Sequence, residues 1–153
     1  MTTGLGVLAV AVVLALGFGL WRAATDGRFR GTHEVRLKQD AASVEPVETT
    51  ATSLLAGTPY DGQLGERATL LQFSTAFCAP CRATRRVLDD VARIVPGVAH
   101  VEVDAEHHLD LVRRLGILRT PTTLVLDPQG REVSRAAGAP SKQAVIASLE
   151  PLA

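Results

Sequence analysis

A chain of 153 residues with 16 Lys+Arg against 16 Asp+Glu is long enough for one compact domain plus an appendage, and cramped for two. The balanced charge supplies no net field toward a polyanion, so no nucleic-acid partner is expected. Two cysteines three positions apart exclude a disulfide-stapled scaffold and leave a redox-active pair or half of a metal site.

From Gly4 to Trp21 the chain carries no charge, and about 18 residues rising 1.5 Å each span roughly 27 Å of hydrocarbon. Met1-Thr2-Thr3 lacks the basic start of a cleaved leader and Arg22 follows at once, so residues 1–22 read as an uncleaved transmembrane anchor in a lipid bilayer. Arg22, Arg28, Arg30, Arg36 and Lys38 all follow the span, which places the remaining chain on the cytoplasmic side of a single-pass cell-membrane protein; the extracytoplasmic side stays open, because folded domains translocate despite flanking charge. Residues 23–58 have the composition of a juxtamembrane linker, broken by Pro46, with one alternating stretch at His33–Lys38 that could add a strand to a sheet edge. Residues 59–153 form the expected domain.

Within that domain, Ala68 to Ser74 is a short apolar run suited to a buried strand, and Pro80 opens a helix running to Val95. Cys81, Thr84, Val87, Leu88, Val91 and Ile94 recur on one face of it. Val98–Asp104 alternates as a strand, and His108–Leu115 is a short helix closed by Gly116. Thr122–Leu126 and Arg131–Ala136 are strands joined by the turn Asp127-Pro128-Gln129-Gly130, and Ser141–Leu149 is a capped terminal helix. The predicted class is α/β, a central mixed sheet with helices on both faces.

Cys78-Ala79-Pro80-Cys81 stands at a strand-to-helix junction. There the unpaired N–H groups and positive dipole end of the helix favour a thiolate on Cys78, the expected nucleophile. Cys81, one turn inside, is placed to resolve a mixed disulfide. Pro80 needs no N–H partner at the helix start and stiffens the loop, and Ala79 keeps it small. A zinc site would require two further ligands; His33 lies in the linker, and the adjacent His107 and His108 project about 100° apart on a helix. No resident metal or other cofactor is expected, although a metal-delivery role for the thiol pair remains the alternative.

The stretch Leu70-Leu71-Gln72-Phe73-Ser74-Thr75-Ala76-Phe77-Cys78-Ala79-Pro80-Cys81-Arg82, together with Leu115-Gly116-Ile117-Leu118-Arg119-Thr120-Pro121-Thr122, resembles the thioredoxin superfamily over about residues 64–152. The resemblance implies a thioredoxin fold, here preceded by the one transmembrane helix read from the apolar run. It makes Pro121 a cis-proline facing the sulfurs, gives Thr120 a backbone role toward an extended substrate, and places Phe77, Ala79 and Pro80 in the active-site loop. It further implies a protein-disulfide reductase with protein disulfide or dithiol clients and an upstream reductant. Three features depart from the pattern: Gln72 stands where many relatives carry a buried acid, Phe77 replaces a Trp, and Ala79 with Arg82 replaces Gly and Lys. Asp104 is a weak candidate for the missing acid, more simply read as a strand-end residue. The anchor resembles tethered thioredoxin-like proteins of the TlpA type, without that group's inserts. A non-catalytic membrane adaptor is the third alternative, since fold alone does not settle activity.

Overall fold

The computed structural model describes residues 2–31 and 53–152. Helix α1, Thr2–Thr25, contains the apolar run. Its large side chains are exposed, among them Val13, Leu14, Phe18 and Trp21. Among the described residues no helix is long and apolar enough to cross a membrane, which leaves the expected transmembrane span unshown.

The chain then turns through Gly27 into a two-residue strand β1, Arg30–Gly31. The strand expected at His33–Lys38 lies outside the described residues. Strand β2, Ala68–Ser74, is followed by helix α2, Ala79–Ile94, strand β3, Val98–Asp104, and helix α3, Leu109–Arg114. Strands β4, Thr122–Leu126, and β5, Glu132–Ala137, precede helix α4, Lys142–Leu149, and a final 3-10 turn, Glu150–Leu152. From β2 to α4 each observed element lies within one or two residues of its expected range, whereas β1 and the final 3-10 turn are not among those expected. Ser141 stands just outside α4 as its N-cap, its hydroxyl accepting from the N–H of Ala144.

The sheet order is β1-β5-β4-β2-β3, with β2 parallel to β3 and the other neighbours antiparallel. Because β2 lies between β4 and β3 and is covered on both faces, all seven of its residues are buried, which explains its unbroken apolar run. Strand alternation sends Leu71 and Phe73 into one core with Leu55, Val103, Leu111 and Leu124. The neighbouring Leu70 faces the other core, with Leu88, Val91, Val125 and Val145 beneath α2 and α4. Two pieces of the 23–58 segment thus contribute to the domain: β1 edges the sheet, and Leu55 is fully buried. Ile94, expected on the buried stripe of α2, is 56% exposed as the last residue of the helix, whereas Val91 one turn earlier is fully buried.

One end of the sheet gathers the functional loops. In the β2–β4 register Phe73 lies opposite Thr122, so the exit from β2 and the entry to β4 are adjacent. Thr122 in turn lies opposite Ala137 at the end of β5, and Gly27 N donates to Ala137 O at 2.9 Å. The segment leaving α1 therefore joins the domain at this same end.

Candidate active site

Cys78 is half-buried and caps α2; its sulfur accepts a hydrogen bond from the N–H of Cys81 at 3.1 Å. Sulfur thus occupies the place usually taken by a Ser or Asp oxygen at a helix start, where backbone N–H groups favour negative charge. Pro80, in the first turn, has no N–H to leave unpaired there. Cys81 is only 2% exposed, one turn inside, and is joined to Cys78 in a disulfide with Cα atoms 5.2 Å apart. The pair has one outward sulfur and one shielded sulfur, the asymmetry that sequential thiol–disulfide exchange uses.

The Thr120–Pro121 peptide bond is cis. Its loop lies beside the exit from β2: the Thr75 and Thr120 hydroxyls are 3.4 Å apart, and Gly138 N donates to Pro121 O at 2.8 Å. Arg119, at the root of the loop, donates to a carboxylate oxygen of Asp26 and to Ala137 O, both at 2.8 Å. The structure therefore brings Phe77, Cys78, Ala79, Pro80, Cys81, Thr120 and Pro121 to one end of the sheet. Phe77 is 99% exposed and Leu118, which the sequence did not single out, is 95% exposed.

Beneath the pair, Gln72 is fully buried, and its Nε2 donates to Cys81 O at 2.9 Å. Gln72 Oε1 and the hydroxyls of Thr84 and Thr123 have no hydrogen-bond partner among the described residues. Thr123 lies directly opposite Gln72 in the β2–β4 register. This interior patch is polar and carries no ionisable side chain.

On the β3 side of the pair a cleft of about 460 Å³ is lined by Cys81, Arg85, Ser74, Glu102, Asp104 and Tyr60, among others. Glu102 Oε1 accepts from Ser74 Oγ at 2.5 Å and from Arg85 Nη2 at 2.6 Å, and the bond to Glu102 raises the Arg85 pKa. Asp104 accepts from His107 Nδ1 at 2.9 Å and from Glu106 N, which hold its carboxyl below the usual carboxylate range. Burial, and then the Asp104 charge, push the Tyr60 phenol up. The sequence missed Glu102, Ser74 and Arg85 as site neighbours. The available signal was the alternation of His100, Glu102 and Asp104, a polar face that α2 covers.

Among the described residues no three His, Cys, Asp or Glu side chains cluster as metal ligands. His107 is engaged by Asp104, while the ring of His108 packs edge-on against Tyr60 with centroids 5.2 Å apart.

Residues 52–151 match the family model described as Thioredoxin. The chain belongs to the thioredoxin family. A Thioredoxin H-type of Fagopyrum esculentum is 29% identical over 70 residues, which are 46% of this chain and 60% of that protein. This chain thus spans about three-fifths of the length of the curated relatives it matches. Among solved structures, a mutant thioredoxin of Halobacterium salinarum superposes with a TM-score of 0.53 at 21% identity, over 57% of this chain and 75% of its own. A thioredoxin of Nicotiana alata gives 0.50 at 26% identity, over 55% and 71%.

Proposed function

We propose that this thioredoxin-family chain is a thiol–disulfide oxidoreductase that reduces protein disulfides. The observation that carries the reading is the bonded pair at the start of α2, with Cys78 as its outward, N-capping sulfur and Cys81 shielded behind it. In the reductive direction Cys78 thiolate attacks one sulfur of a client disulfide, forming a mixed disulfide as the client S–S bond breaks and the first client sulfur leaves as a thiolate that takes a proton from solvent. Cys81 thiolate then attacks Cys78 Sγ, closing the internal disulfide, and the second client sulfur leaves as a thiolate that takes a proton from solvent. An external dithiol reductant returns two electrons to the pair. Phe77 and Leu118 give a client apolar contact, and the Thr120–Pro121 loop gives it main-chain contact.

The test is mixed-disulfide trapping. Cys81→Ala should accumulate client proteins covalently on Cys78, released by dithiothreitol, and Cys78→Ser should abolish insulin reduction. Insulin reduction that survives Cys78→Ser would sink the enzyme reading, and an adaptor role would then account for the fold.

The location belongs to the same proposal. Residues 1–22 act as a membrane anchor and 59–153 as the redox domain on the cytoplasmic side, while 23–58 link the two and also contribute β1 and Leu55 to that domain. Support comes from the uncharged run Gly4–Trp21 and the basic residues after it. Extraction by carbonate without detergent would refute the anchor, and side-specific thiol labelling of Cys78 in the reduced protein decides the face.

A further inference from the structure

In the exchange proposed above, Cys81 must lose a proton before it can attack, because the thiolate and not the thiol is the nucleophile. Cys81 is 2% exposed, and the polar group directly beneath it, Gln72, is an amide whose nitrogen is committed to Cys81 O. An amide accepts no proton at ordinary pH. The cleft on the β3 side is a place where Cys81 and carboxylates line the same space.

Glu102 holds a defined position there. It is the Cα partner of Gln72 in the parallel β2–β3 register, so the two side chains leave the sheet on the same face, one strand apart. Its carboxylate is fixed from two sides, by the Ser74 hydroxyl on β2 and by the Arg85 guanidinium on α2. Its side chain is 23% exposed, open enough to exchange protons with solvent. The other carboxylate on the cleft, Asp104, is committed to His107 and to the N–H of Glu106, away from the Ser74 and Arg85 contacts that hold Glu102. The remaining charged and titratable groups around Glu102 are Arg82 and Arg85 from α2, His100 on its own strand, which is paired with Asp89 of α2, and Tyr60 from the segment before β2.

We infer that Glu102 is the proton acceptor for Cys81: the Cys81 thiol gives its proton to the Glu102 carboxylate through the solvent of this cleft. Cys81 thiolate then attacks Cys78 Sγ, the bond from Cys78 to the client sulfur breaks with its electron pair going to the client, and Glu102 returns the proton to bulk water. The inference rests on the redox reading, and it moves the acid–base group one strand away from the buried position that Gln72 occupies. Ser74 and Arg85 act as positioning residues, holding the carboxylate over the cleft.

The experiment is a two-phase reaction of the reduced full-length chain with 5,5′-dithiobis(2-nitrobenzoate), followed by thionitrobenzoate release across pH. The first phase loads Cys78 and the second is attack by Cys81. In Glu102→Gln the second phase should slow about tenfold or more near neutrality, a conservative share of what a general base supplies, and rejoin the wild-type rate at high pH where hydroxide serves. Glu102→Asp should recover part of the rate. Ser74→Ala, which removes only the hydroxyl on Oε1, should slow the second phase severalfold and covers the case in which Glu102→Gln fails to fold. A second phase with the wild-type pH profile in a folded Glu102→Gln, or in Ser74→Ala, would overturn the inference. A wild-type chain that lacks the second phase altogether would overturn the redox reading and the inference with it.

Discussion

Gln72 Nε2 donates to the main-chain carbonyl of Cys81 from a side chain with no solvent exposure, tying the centre of β2 to the first turn of α2. The same side chain leaves Oε1 unpartnered among the described residues. A buried acceptor without a partner is destabilising, and a leucine of similar size would remove both the bond and the orphan. Gln72→Leu is therefore expected to alter unfolding free energy by no more than about 1 kcal/mol. Gln72→Ala, which also opens a cavity, should cost about 2 kcal/mol or more. Urea denaturation of both variants checks this, and equal losses would show that the hydrogen bond outweighs packing.

Phe73 and Phe77 are four residues apart and have opposite surroundings. Phe73 is fully buried, whereas Phe77 is almost wholly exposed. Phe73→Ala should lose about 3–5 kcal/mol of stability. Phe77→Ala should stay within about 0.5 kcal/mol of the parent. On the proposed function its effect falls on clients: insulin reduction should fall severalfold through KM, with reactivity toward a small disulfide retained. Leu118→Ala should behave alike, and an unchanged KM in both variants would remove this face from client contact.

Asp104 gives a pH dependence of definite sign. Its carboxyl is held below the usual range, first by His107 and then by the N–H of Glu106. A depressed native value stabilises the fold above the ordinary carboxylate pKa, and that contribution is lost as pH falls through the native value. The pair is substantially exposed, so the effect is a few tenths of a kcal/mol. Thermal midpoints of parent and Asp104→Asn should differ near neutrality and converge in acid; a constant gap would refute this assignment.

Gly27 has φ +71°, and a methyl group on it would collide with the carbonyl of Ala139. Gly27→Ala is expected to release the chain entry from β5, breaking the Gly27–Ala137 hydrogen bond and the Asp26–Arg119 ion pair together. Hydrogen exchange at Gly27 and Gly138 should accelerate, while amides of β2 keep their protection. Retained protection at Gly27 would show that the contact tolerates the side chain.

The strand, sulfur loop and helix from Ala68 to Ile94 were legible because the apolar period changes from a continuous run to a helical stripe at Pro80. The cis bond before Pro121 was legible only through family resemblance, since spacing alone does not bring the 120–121 loop to the same end of the sheet as residues 78–81. Glu102 was not legible. Alternation along β3 shows which side chains share a face, but not that a helix covers the polar one, where His100 meets Asp89 and Glu102 meets Arg85. Leu55 and β1 were missed for a different reason: one apolar residue and a two-residue strand leave no period to detect, and tertiary contact alone orders them.

The edge position of β1 carries a consequence for reach. The chain enters the sheet at the end that bears Cys78, and β1 stands three strand spacings from β2, about 14 Å. Whatever support α1 occupies, the sulfurs are presented on the side from which α1 arrives. A client fixed to that same support would meet Cys78 at an effective concentration governed by the short chain, residues 26–29, that joins α1 to β1. Geometry of attachment, as much as affinity, would then select which disulfides are reduced.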